Sequence, residues 1–185
     1  MIRPIGTQAM ETSRLVLRRF AKEDGAAVYR GYASDPQVCR YLSWNSHEEA
    51  AVSQKIVDYW VRQYDDPYCF RWAIVMKRED ILIGGIDVVE LDREAGEGII
   101  GYCIGQGYWG RGITSEALHA MLVYLFTQAG FSRIRARHDS RNPASGSVLL
   151  KNGFQFVREE QVIGKEGEPV TCRWYEINQS EFGAI

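Results

Sequence analysis

The sequence has no Cys-x-x-Cys pair, no histidine cluster at metal-ligand spacing, and no apolar run near the ~18 residues that a membrane-spanning helix requires. Its four cysteines, Cys39, Cys69, Cys103 and Cys172, are widely scattered and read as reduced thiols. The start, Met1-Ile2-Arg3-Pro4-Ile5-Gly6, lacks the apolar stretch of a secretion signal. A formal net charge of −2 gives no global attraction to nucleic acid or to an anionic membrane. Repeats, low-complexity tracts and obvious linkers are also missing. These absences predict a cytoplasmic protein with no metal, no nucleic-acid partner and no membrane partner. What is there, 45% hydrophobic and 25% charged residues in 185, is the composition of one globular domain. It is expected over residues 11–180, behind a loose leader at residues 1–10.

Alternating apolar residues in Arg14–Phe20 predict a first strand. A helix follows from Lys22 to about Tyr32 and stops before Asp35-Pro36, because the residue before proline avoids helical geometry. Ser46 and Glu49 stand at capping-box spacing before a second helix carrying Val52, Ile56, Tyr59, Trp60 and Tyr64. Phe70–Met76 and Ile81–Val89 read as a hairpin, and Arg133–His138 as a further strand. A proline-led helix starts at Asn142-Pro143-Ala144-Ser145, and a closing pair of strands flanks the turn Gly164–Pro169. The order is β-α-α-β-β-β-α-β-α-β-β, which is a mixed α/β domain of about seven strands and four helices.

The densest stretch is Gly98–Gln128. An apolar strand, Gly98–Ile104, leads into Gly105-Gln106-Gly107-Tyr108-Trp109-Gly110-Arg111-Gly112, with four glycines in eight residues. Thr114-Ser115-Glu116 then supplies cap-type hydroxyls and an acid, and Ala117, Leu118, Met121, Leu122, Leu125 and Phe126 form one helical face. Unpaired N–H groups at a helix start, next to a glycine turn, make an anion site suited to phosphate. Gly105, Gly107 and Gly110 satisfy the dinucleotide pattern, yet the acid expected about 20 residues later is not clearly placed. A P-loop would need Lys and Ser/Thr after its second glycine, where this chain has Arg111 and Gly112.

The order of elements resembles the GNAT acetyltransferases. Several pieces are similar to their ribosomal-protein N-terminal acetyltransferase (RimJ/RimL-like) branch: Thr12–Arg18, Asp35-Pro36, Ile100-Gly101-Tyr102, Tyr108–Gly112, Glu116-Ala117-Leu118, Asn142–Ser145 and Gly153-Phe154. The likeness spans about Glu11 to Ile177. Gly110-Arg111-Gly112 fits the core of the family's phosphate motif, although Gly107 occupies its Arg/Gln slot.

The resemblance implies a mostly antiparallel sheet with one splayed parallel pair, and an enzyme that moves acetyl from acetyl-coenzyme A to a primary amine by direct attack. The amine would belong to a protein or peptide N-terminus or to a small molecule. A homodimer is left open. The resemblance carries the pyrophosphate to the N–H groups of Gly107, Tyr108, Trp109, Gly110, Arg111, Gly112 and Ile113, and makes Cys103 and Ile104 face the pantetheine. Many members place a tyrosine acid seven residues after the asparagine matching Asn142; here that residue is Leu149. Ser145, oriented with Asn142, is expected to donate to the coenzyme sulfur instead. The family's glutamate position is Ile99, so Glu97 is the expected base, with Asp87, Glu90 and His138 as rivals. The alternative is a non-catalytic coenzyme A-binding module; a nicotinamide dinucleotide-binding protein is a more distant one.

Overall fold

A computed structural model describes residues 1–183. Eight strands form one sheet: β1 (Met10–Glu11), β2 (Leu15–Arg18), β3 (Arg71–Met76), β4 (Ile81–Asp92), β5 (Glu97–Ile104), β6 (Arg133–Asp139), β7 (Gln155–Ile163) and β8 (Pro169–Asn178). Their spatial order is β1-β2-β3-β4-β5-β6-β8-β7. Every neighbouring pair is antiparallel except β5 with β6. Five helices complete the domain: α1 (Gly25–Val28), α2 (Pro36–Cys39), α3 (Ala50–Gln63), α4 (Ile113–Tyr124) and α5 (Pro143–Lys151). Wide π turns extend α1 to Ala33 and α4 to Ala129.

The extra strand and helix have local causes. β1 lies where a loose leader was expected, and its two residues pair with Leu17 and Val16. The residues before it are also fixed: Ile2 is buried, the Arg3 N–H donates to the Ala129 carbonyl at 2.8 Å, and the Tyr124 hydroxyl donates to the Gly6 carbonyl at 2.6 Å. Pro36 ends one helical segment and begins another. It sits at the first helical position of α2, and Asp35 caps that helix by accepting from the Gln37 N–H at 2.8 Å. The expected Ser46–Glu49 capping box does not form; α3 starts at Ala50, with Glu49 at the cap position making no side-chain bond.

The sheet separates two apolar clusters. α4 and α5 cover one face, where Ile86, Ile100, Ile104, Leu118, Leu122 and Ile134 are among the buried residues. α1 and α3 cover the other face, and their cluster takes its strand residues Val16, Ala73, Val75, Leu82 and Cys103 from β2 through β5. The β6–β8–β7 portion of that second face contributes none of them.

One feature of the sheet positions the site. β5 and β6 pair over only four steps, from Glu97 opposite Arg133 to Ile100 opposite Ala136. β4 continues to hold β5 as far as Ile104, and β8 continues to hold β6 as far as Asp139. The two parallel strands therefore part beyond Ile100 and Ala136. A bulge in β4 between Val88 and Glu90 faces this point, and bulges bend a strand and add local twist.

Candidate active site

The gap between the parted strands is lined by backbone. The Gly105 N–H donates to the Ile83 carbonyl at 2.8 Å, so antiparallel alternation commits the amides of Cys103 and Gly101 to β4. The backbone groups of Tyr102 and Ile104 are left facing the gap. Among these, the Ile104 carbonyl accepts the Trp109 indole N–H at 2.9 Å. The side chains of Cys103 and Ile104 go to the two packed faces of the sheet: Cys103 packs on the α1–α3 cluster, and Ile104 is buried in the cluster under α4. Burial, reinforced by the charge of Asp87, pushes the Cys103 thiol up to about 12. It is therefore a protonated packing group at neutral pH, unsuited to carry an acyl group.

The glycine turn delivers free donors at the mouth of the gap. Gly112 occupies the cap position of α4 with φ of 72°, and Gly110 has the same φ, a left-handed geometry that L side chains rarely adopt. No side chain caps α4 among the described residues, because the cap residue is a glycine; the Ser115 hydroxyl, in the first turn, accepts from the Asn152 amide at 2.9 Å. Among the described residues, the N–H groups from Gly110 to Ser115 make no hydrogen bond; the first N–H engaged is that of Glu116, with the Gly112 carbonyl at 3.0 Å. These amides, at the positive end of α4, form an anion cradle. The cradle is shorter than expected. The Tyr108 and Trp109 N–H groups already serve Gly105 and Gln106 within the turn. The Gly107 N–H lies ahead of this run. Arg111 is exposed, with its guanidinium 5.9 Å from the centre of the Tyr108 ring.

Arg14 braces this turn from the β1–β2 connection, one residue ahead of β2. Its Nη1 donates to the Arg111 carbonyl at 2.9 Å, while its Nε donates to Glu116 at 2.6 Å. Glu116 also accepts from the Thr12 hydroxyl (2.5 Å), the Ser13 hydroxyl (3.1 Å) and the Arg14 N–H (3.0 Å). Burial works to raise this carboxyl, but the hydrogen bonds from Thr12 and Arg14 outweigh it and carry the group down to about 2. Glu116 is thus a permanent anion tying α4 to the β1–β2 turn.

On the face of α4 and α5, Ser145 stands at the gap with a partner that sequence reasoning did not select. The Tyr102 hydroxyl donates to the Ser145 carbonyl at 2.9 Å and lies 3.1 Å from its Oγ. Burial raises Tyr102 well above the ordinary phenol range, so it keeps its proton. Asn142 caps α5, its Oδ1 accepting from the Ser145 N–H at 3.3 Å. Leu149 is fully buried in the core, so that position offers no acid. The one clue to Tyr102 was its place in Ile100-Gly101-Tyr102; its partner lies 43 residues away.

Glu97 does not reach the gap, which corrects the expected base. It sits at the paired end of β5, four residues and about 13 Å from Gly101. Both of its oxygens are taken, one by Arg133 and the other by Arg135 at 3.1 Å. Glu90 lies beside the same paired end, opposite Ile99. His138 donates from Nδ1 to the Asp139 carbonyl at 2.7 Å, and its buried Nε2 has no hydrogen-bond partner among the described residues. That nitrogen is aimed at α5, since a Cβ on Gly146 would lie 2.6 Å from it. Burial lowers the His138 pKa and keeps the ring neutral.

Asp87 remains, on the α1–α3 face. It pairs in register with Gly101, and a Cβ there would lie 3.6 Å from Asp87 Oδ1. Its Oδ2 accepts from Arg71 Nε at 2.9 Å, whereas Oδ1 has no hydrogen bond among the described residues. Burial raises the Asp87 carboxyl, with Arg71 opposing. The gap therefore has a hydroxyl pair on one face and a carboxylate on the other.

A mixed sheet with one split parallel pair, and a row of unbonded amides at a helix start by the mouth of the split, defines a fold whose gap can take an extended ligand with an anionic end. Residues 14–155 match the profile of the acetyltransferase (GNAT) domain, and the chain belongs to this family, which transfers acetyl from acetyl-coenzyme A. It is 32% identical over 169 residues to the uncharacterized N-acetyltransferase YoaA of Bacillus subtilis, covering 91% of this chain and 95% of that one. It is also 39% identical over 80 residues to the ribosomal-protein-serine acetyltransferase of Escherichia coli, covering 42% of this chain and 43% of that one. Among solved structures, the microcin C7 self-immunity acetyltransferase MccE, in complex with acetyl-CoA and AMP, shares the fold with a TM-score of 0.81 at 16% identity, covering 90% of this chain and 93% of that one. No helix among the described residues is long and apolar enough to cross a membrane.

Proposed function

We propose that this protein is an N-acetyltransferase that passes acetyl from acetyl-coenzyme A directly to a primary α-amine. The observation that carries the reading is the split of β5 from β6 beside the unpartnered amides of Gly110–Ser115. The groups present fit the coenzyme: the Gly110, Arg111, Gly112 and Ile113 amides suit a pyrophosphate, and the Tyr102 and Ile104 backbone groups suit an amide-containing arm between the strands. Acetyl-coenzyme A supplies the thioester carbonyl that the amine attacks.

Asp87 Oδ1 takes the proton that the acceptor ammonium must lose, because it is the open carboxylate oxygen beside Gly101. Ser145 Oγ, held by the Asn142 cap and the Tyr102 hydroxyl, donates a hydrogen bond to the departing sulfur. The N–C bond would form as the C–S bond breaks; the sulfur would leave as a thiolate held by the Ser145 hydrogen bond and take up the second proton that the nitrogen loses, which gives the thiol. The relatives' names include a general N-acetyltransferase and a ribosomal-protein-serine enzyme, which supports transfer to nitrogen without choosing between free amino acids, peptides and small amines. A thiol-release assay across amino acids, peptides and small amines tests this. Acceptor-dependent release is the expected result; tight coenzyme binding with no release to any amine would replace it with the coenzyme-binding module.

A further inference from the structure

Strand register lays one row of residues across the sheet on the α1–α3 face. Arg71, Asp87 and Gly101 stand side by side on β3, β4 and β5. Arg137, Trp174 and Arg158 stand side by side on β6, β8 and β7. Gly101 and Arg137 each lie one residue beyond the last β5–β6 pair, Ile100 with Ala136, so the gap opens in the middle of this row. A carboxylate occupies one bank and a guanidinium the other, with no side chain at Gly101 between them.

Arg137 differs from the other arginines around it. Arg133 and Arg135 are held by Glu97, Arg71 by Asp87, and Arg141 by Asp139; Arg158 lies 3.7 Å from Glu160. Among the described residues no carboxylate pairs with Arg137, which is exposed beside the gap. Its guanidinium lies 5.3 Å from the centre of the Trp174 ring, and the Trp174 indole N–H is fixed by Glu160 at 2.5 Å. Stacking on an aromatic ring orients a guanidinium while leaving its N–H edge free for a planar anion. Arg137 itself is exposed at the gap although the Trp174 ring beside it is buried, so the guanidinium is the part of this bank that a ligand can reach.

We propose that Arg137 binds the carboxylate of the acceptor, which makes the acceptor a free α-amino acid rather than a protein N-terminus. The inference rests on the acetyl-transfer reading, in which Asp87 receives the amine. Hydrogen bonds from both ends of one α-amino acid require its two protein partners to stand about 8–9 Å apart. β4 and β6 are separated by two strand spacings, about 10 Å before the strands part, so the guanidinium engages the acceptor by swinging on its flexible stem from the Trp174 ring toward the gap. A peptide N-terminus carries a neutral carbonyl where the amino acid carries its charge, and would leave Arg137 without an anion.

The test compares free amino acids with the matching amino-acid amides and dipeptides, using wild type, Arg137→Gln and Arg137→Lys. Thiol release gives kcat and KM, and calorimetry follows amino-acid binding to the protein with coenzyme A. Wild type is expected to favour acid over amide by about tenfold to a hundredfold. In Arg137→Gln that preference disappears through the acceptor KM, the calorimetric signal falls, and the KM of acetyl-coenzyme A is unmoved; Arg137→Lys restores part of the preference. Equal use of acid and amide by wild type, a preference that survives in Arg137→Gln, or transfer to peptides alone would overturn the inference and leave acetyl transfer standing. No transfer to any amine would overturn both.

Discussion

The Tyr102 hydroxyl donates to the carbonyl of Ser145 at 2.9 Å and lies 3.1 Å from the serine Oγ, joining β5 to the first turn of α5 at the point where β5 leaves β6. Removing the serine hydroxyl deletes the hydrogen bond offered to the departing sulfur. Ser145→Ala is expected to lower kcat about tenfold to a hundredfold with coenzyme affinity little changed, and Tyr102→Phe to give a smaller loss by freeing the serine. Steady-state rates alongside coenzyme titrations check this, and unchanged turnover in Ser145→Ala removes that residue from the reaction.

Asp87→Asn keeps the shape of the side chain but removes the proton acceptor. A loss of about a hundredfold or more in kcat is expected, with coenzyme binding retained. In wild type, kcat/KM rises with pH as Asp87 loses its proton, and because burial raises this carboxyl the limb lies above the ordinary aspartate range. The limb disappears in Asp87→Asn; a pH–rate profile that keeps it assigns the proton to another group.

Glu116 gives a stability signature. Its carboxyl is depressed from 4.5 to about 2, so it contributes stability that is complete above the unfolded value and is lost as pH falls from about 4.5 through about 2. The stability difference between wild type and Glu116→Gln is therefore constant at neutral pH and shrinks across that acid window. Denaturant titrations at several pH values read it directly. The same substitution loosens Arg14 from the glycine turn and is expected to raise the KM of acetyl-coenzyme A.

Gly110→Val places a β-branched residue at φ of 72° in the phosphate turn. Coenzyme affinity is expected to fall at least tenfold, because the strained turn redirects the amides that follow it. Affinity that survives in an isothermal titration moves the pyrophosphate elsewhere.

Gly146→Ala would set a Cβ 2.6 Å from His138 Nε2, a contact that forces α5 from β6. Overpacking of this kind costs about 1–3 kcal/mol, measurable as a lower denaturation midpoint. Because α5 also carries Ser145, activity is expected to fall with stability.

Much of the fold was legible because its signals are local. The hairpin of β3 and β4, the apolar face of α4 and the proline-led start of α5 all depend on residues within a few positions of one another. The bonds of the first residues are not legible there, because the partners of Arg3 and Gly6 lie in α4 and its π turn, more than 100 residues away. Glu97 was a reasonable base by period-two counting along β5, since it shares a face with Gly101. Counting along one strand could not say where the neighbouring strand leaves it.

The sequence by itself determined the glycine turn, the helix start after it and the serine at the head of α5, because these follow from neighbouring residues. Only the tertiary structure decided which polar groups meet at the gap. Tyr102 with Ser145, and Asp87 opposite Arg137, are set by the registers of strands distant in sequence and by the four-step pairing of β5 with β6. A shift of one residue in any of these registers would turn every side chain to the other face and separate the groups.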